Sequence, residues 1–158
     1  MMSHAPLVLW VGCLLAADPP PDDAIRKERR SLGGTWVVES IVRDPKERGE
    51  GEGKGQKVVI IGEKVVVKAP GEDKPIGGLI LKIDPTREPK TLDLWVDETP
   101  LKSRKDTFKE PPVLAIYELS GDTLRICWAP LEKRERPTEF ASKAGTGHSL
   151  LVLRREKP

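Results

Sequence analysis

Sulfur and imidazole are scarce in this chain of 158 residues. It has two cysteines, Cys13 and Cys127, and two histidines, His4 and His148. A disulfide framework needs more than that. There is no Cys-x-x-Cys and no pair of neighbouring histidines to hold zinc, so no metal or other cofactor is implied. One-sided charge is missing as well: 27 Lys and Arg face 25 Asp and Glu, a net +2 that is mixed along the chain. That balance argues against a nucleic-acid partner. The uncharged apolar run from Ala5 to Ala17 falls short of the roughly 20 residues that span a bilayer, so the mature chain is expected to have no transmembrane span. Long helices are not expected either, because 14 glycines and 15 prolines divide the chain into short pieces.

The N-terminal run fits the apolar core of a secretory signal peptide, residues 1–17, with Ala16 and Ala17 at the cleavage site. Its weak point is the absence of Lys and Arg before the run. A less favoured reading makes Cys13 a lipidated anchor. Residues 18–24 are a proline-rich spacer, and residues 25–155 form one domain, a length that can bury a single core. The expected location is outside the cytoplasm, periplasmic or extracellular. After cleavage Cys127 would stand alone, most simply as a small hydrophobe on a strand.

Within the domain the signal is alternation with period two. A short helix over Ala24–Leu32, capped by Asp22 or Asp23, leads into a first strand from Gly33 to about Arg43. Alternation places Trp36, Val38, Ser40 and Val42 on one of its faces. Residues 57–61 and 64–68 flank Gly62-Glu63, a type II′ hairpin signature. Further strands are expected at 78–84, 90–97, 113–119, 123–128 and 147–155. Leu124, Ile126 and Trp128 share one face of the seventh strand, with Cys127 on the other. Eight short strands without strand–helix alternation predict an all-β fold, an antiparallel eight-stranded barrel with a short N-terminal helix.

Catalytic patterns are thin. Cys127 and His148 could meet as a dyad only if Cys127 faced inward, against its alternation. Asp84, Asp93 and Asp97 match no calcium loop, and nothing singles out a glycosidase pair. Lys54-Gly55-Gln56-Lys57 lacks the ending of a phosphate loop. The basic stretches 102–109 and 133–136 are taken as solvated loops in preference to anion sites. Tyr117 and Trp128 are candidates to line a cavity for an apolar ligand, with core packing as the alternative. Arg136, in Arg136-Pro137-Thr138-Glu139-Phe140, is either a carboxylate-binding group at the pocket mouth or, more simply, a loop clamp, with Phe140 anchoring that loop in the core. Trp95 is expected to face outward, in a partner patch or half-covered by the following loop.

Two resemblances add to this. Gly34-Thr35-Trp36 with Arg154-Arg155 at the chain end is similar to the lipocalin and calycin pattern, which implies a floor of Trp36 with Arg154 or Arg155 across it as a cation over an aromatic face. The span from about Ile25 to Arg154 resembles a family of uncharacterised planctomycete lipocalin-like proteins. That resemblance rests on Leu32-Gly33-Gly34-Thr35-Trp36, Asp84-Pro85 with Pro89-Lys90 and Leu92-Asp93-Leu94, Ile116 to Leu124 through Cys127, and Arg136 to Phe140. It implies a barrel and export and supplies no catalytic residues. The expected function is therefore a non-enzymatic exported barrel holding a small, partly apolar molecule. The alternative is a filled barrel acting as a protein-interaction module of the cell envelope.

Overall fold

A computed structural model describes residues 21–43, 53–97 and 111–157. The order is α1 (Asp22–Leu32), β1 (Gly34–Val42), β2 (Lys57–Ile61), β3 (Lys64–Lys68), β4 (Pro75–Asp84), β5 (Lys90–Val96), β6 (Val113–Ser120), β7 (Thr123–Trp128) and β8 (Ser149–Arg155). Each strand pairs antiparallel with the next, and β8 returns to β1. The sheet is a closed eight-stranded antiparallel barrel with one short N-terminal helix. Closure leaves no long unpaired edge for another chain to join.

The two ends of the barrel differ. Gly62-Glu63, residues 85–89 and Gly121-Asp122 make tight turns at one end, where Gly62 and Gly121 take positive φ of 62° and 56°. At the other end β1 stops and β2 starts, β5 stops and β6 starts, and the described connections 69–74 and 129–148 lie there. Helix α1 lies across the short-turn end. Its inward face presents Leu32, buried, and Ile25, packed on the core.

The core follows the predicted alternation on most strands. Val58 and Ile60, Val65, Leu81 and Ile83, Leu92, Ala115 and Tyr117, Leu124, and Leu153 are buried together inside. β1 departs from it. A bulge between Val38 and Ser40 shifts the register against β8. Beyond the bulge Ile41 packs on the core and Val42 is 48% exposed, so the inward set is Trp36, Val38 and Ile41, not Trp36, Val38, Ser40 and Val42. An extra residue reverses every side chain that follows it.

Three other expectations are corrected. The helix starts at Asp22 and no side chain caps it; the Pro21 carbonyl accepts the Ala24 and Ile25 amides. Proline's fixed φ sets that turn, and Asp22 and Asp23 lie in the first turn, where negative charge suits the helix dipole. β4 begins at Pro75, since Gly77 and Gly78 pair with Val67 and Val66. Phe140 anchors its loop outside the barrel, 4.8 Å from the Arg125 guanidinium, instead of in the core.

Candidate functional site

At the short-turn end the chain builds a sealed floor. Trp36 is fully buried, and its indole N–H donates to the Leu32 carbonyl at 2.9 Å. The Arg155 guanidinium stands 4.1 Å from the Trp36 ring centroid and donates to the Gly33 and Ser31 carbonyls at 2.8 and 2.6 Å. One cation thereby covers the indole and satisfies carbonyls at the helix C-terminus. Arg154, next along β8, points outward and pairs with exposed Glu39. Of the two arginines, only Arg155 belongs to the floor.

The same end holds two polar ties. Tyr117 is inside the barrel and 1% exposed. Its hydroxyl donates to Glu28 of α1 at 3.2 Å, and Lys90 of β5 reaches the same carboxylate at 2.7 Å. Burial, then the nearby Glu28 charge, pushes the Tyr117 phenol far above its ordinary pKa. On the other side of the helix Arg29 donates to Glu63 in the β2–β3 turn at 2.6 Å. A helix of 11 residues is marginal alone in water, so these ties and its apolar face hold it. Sequence reasoning passed over Glu28 and Arg29 as solvent-facing charges. Their one visible signal is a place beside Ile25 and Leu32 on the helix wheel.

Arg136 is a clamp on the outer wall. It donates to the Leu92 and Ala115 carbonyls at 2.9 and 2.6 Å and to Asp93 at 2.6 Å. Leu92 and Ala115 face each other across β5 and β6, so one guanidinium straddles that seam. Asp93 alternates with inward Leu92 and Leu94, which places this contact outside. The reading of Arg136 as a ligand group at the pocket mouth is thereby corrected. Pro137 of the same loop is buried, as are Ile116 and Cys127 on the wall. The Cys127 thiol donates to the Ala141 carbonyl at 3.6 Å, and burial raises its pKa. It faces away from the interior, and neither fact suits a nucleophile paired with His148.

The long-loop end carries a surface depression. About 440 Å³ in volume, it is lined by Val67 of β3, Ile76, Gly77, Gly78 and Leu79 of β4, and Val96 and Asp97 at the end of β5. Ile76 and Val96 are 55% and 58% exposed. Among the described residues the lining includes none of Tyr117, Trp128 or Arg136. Trp128 does face inward at this end of β7, half-buried against the core. Trp95 is half-buried on the outer wall opposite Ile80, itself 5% exposed. The sequence sign of the depression was the Gly77-Gly78 pair inside an apolar strand.

Among the described residues no group of three or more His, Cys, Asp or Glu is placed to hold a metal ion, and no helix is long and apolar enough to cross a membrane. Residues 1–20, 44–52 and 98–110, with the expected signal peptide, most of the expected spacer, Cys13 and Phe108, lie outside the described residues. Compared with family models, with curated proteins and with solved structures, the chain matches none.

Proposed function

We propose that this chain is an exported, non-enzymatic barrel that takes a small, partly apolar molecule at its long-loop end. The observation that carries the reading is the contrast between the two ends. One is stoppered by α1 and the Trp36–Arg155 stack; the other carries a mostly apolar surface depression of about 440 Å³ on the β3–β4–β5 rim, a volume within the roughly 300–1,000 Å³ of small-molecule sites. The ion pairs Arg29–Glu63, Lys90–Glu28 and Arg136–Asp93 each tie two parts of the fold together. Export rests on the run Ala5–Ala17. Kinship with the planctomycete lipocalin-like domains rests on the motifs quoted above.

A second reading has its own observation. Trp36, Ala115, Tyr117, Leu124 and Leu153 are at most 1% exposed, so the lower barrel is filled with side chains. A filled barrel would act through its surface, as an interaction module of the cell envelope. Titrating tryptophan fluorescence against a panel of lipids and aromatic acids separates the two. Saturable change with one compound class supports the binding barrel. No response to any compound leaves the interaction module.

A further inference from the structure

Helix α1 turns one face to the barrel and the other to water. Ile25, Glu28 and Leu32 point inward, and Arg29 reaches sideways to Glu63. The opposite face carries Arg26, Lys27 and Arg30, all exposed. Two more exposed cations stand beside the Glu63 turn. Lys64 follows Glu63 at the start of β3. The Leu81 amide donates to the Glu63 carbonyl at 2.8 Å, which sets Lys82 next to the same turn. Leu81 and Ile83 are buried inside, so Lys82 between them points outward.

Most carboxylates at this end are spent on other partners. Glu63 is taken by Arg29 at 2.6 Å and Glu28 by Lys90 at 2.7 Å. Asp84 is taken by Thr86 and Arg87 of its own turn, and Asp122 by Arg155 and Lys157. Arg26 has only the exposed Asp23, at 4.0 Å. Lys27, Arg30, Lys64 and Lys82 form no ion pair with a described residue, and of the carboxylates here that is true of Asp22 and Glu88. The cations face water with little to balance them.

The chain before the helix leads to the same end. Ala17 closes the apolar run and Pro21 precedes α1, so at most about 14 Å of extended chain separates them. A bilayer that holds that run stands nearer the floor of the barrel than its far rim. The cations act whether or not the run is kept.

We infer that the short-turn end is a docking surface for an anionic phospholipid bilayer. Arg26, Lys27, Arg30, Lys64 and Lys82 rest on the headgroups, and the depression on the β3–β4–β5 rim faces away into water. Each basic side chain near a negative surface strengthens the attraction about fivefold, and salt screens it. This goes beyond the small-molecule reading and does not depend on it.

The test mixes the full chain with vesicles of pure phosphatidylcholine, or of phosphatidylcholine with one-third phosphatidylglycerol. Co-sedimentation gives the ratio of the two partition coefficients, which cancels whatever the apolar run contributes to both. A preference of roughly thirtyfold or more for the anionic vesicles is expected at about 50 mM salt, fading to within twofold of none at about 0.5 M. Arg30→Gln, Lys64→Gln and Lys82→Gln together should lower it at least tenfold. Lys54→Gln, Lys74→Gln and Arg134→Gln remove equal charge from exposed positions at the long-loop end and should change it less than twofold. In wild type, a nitroxide on the lipid headgroup should broaden the methyls of Ile61, exposed beside the Glu63 turn, and spare Ile76 and Val96. No preference in wild type, equal losses in the two triple variants, a preference that survives high salt, or broadening of Ile76 and Val96 ahead of Ile61 would overturn the docking surface. Each of those outcomes leaves the small-molecule reading standing.

Discussion

Arg155 lies over Trp36 at 4.1 Å while donating to two carbonyls where α1 ends. The last strand is thus locked to the entrance of the first, and the helix is held between them. Arg155→Met removes the cation–ring contact and two charge-assisted hydrogen bonds. A loss of about 2–3 kcal/mol in urea unfolding is expected. Arg154→Met, which removes only an exposed pair with Glu39, should cost less than about 1 kcal/mol. Equal losses would contradict the assignment of the floor to Arg155 alone.

Tyr117 is the one tyrosine of the chain, so its ionisation can be read without interference. Its phenol is pushed upward by burial and by Glu28. The sign follows directly. Stability from a raised pKa is fully present below the unfolded value, about 10, and is lost as pH rises above it. The loss should approach about 1.4 kcal/mol per pH unit, and Tyr117→Phe should make that slope shallower, leaving the part that Lys57 contributes through its hydrogen bond to Glu156. Absorbance at the phenolate band should stay flat in the native protein until it unfolds; titration near the ordinary value in folded protein would contradict the buried hydrogen bond to Glu28.

Arg136 bridges the β5–β6 seam from outside, so its loss should loosen a wall. Arg136→Met is expected to cost about 2–3 kcal/mol and to speed amide exchange at Leu92 and Ala115 first. Lysine should restore little, because a single ammonium cannot reproduce the planar fork. Affinity for any compound that binds wild type should stay within twofold. A large drop in affinity without a loss of stability would return Arg136 to the binding site.

Cys127 is sealed by the loop from Pro130 to His148, and its thiol pKa is raised. A thiol reagent should therefore label it only when that loop lifts. Peptide mass spectrometry should find Cys127 unlabelled in native protein. Phe140→Ala, which removes the ring beside Arg125, should raise its labelling rate more than tenfold with the barrel intact. Fast labelling of wild type would contradict the seal.

Sequence alone carries the barrel because β-strands announce themselves locally. Val65 and Val67 alternate with Lys64, Val66 and Lys68, Leu92 and Leu94 flank an aspartate, and Gly62 and Gly121 mark turns that only a small residue enters easily. The bulge in β1 was hidden, since Val38, Ser40 and Val42 continue an acceptable alternation and the displacement belongs to the pairing with β8. Arg136 was legible as a clamp or a ligand group, the clamp being the simpler of the two, but the sequence could not decide it. That choice depends on which wall its loop crosses, and no local pattern encodes it. Glu28 was lost for a similar reason: its partners Lys90 and Tyr117 are distant in the chain. No aromatic lines the depression, so the one sign of it in the sequence is the Gly77-Gly78 pair in an apolar strand.

The pairing of β1 with β8 has a consequence for synthesis. No closed ring exists until the final seven-residue strand has been made. A chain stopped before Ser149 would carry two bare edges, on β1 and on β7, and would be a sticky open ribbon, not a smaller barrel. Nascent and truncated forms of this protein should therefore depend on chaperones in a way the finished molecule does not.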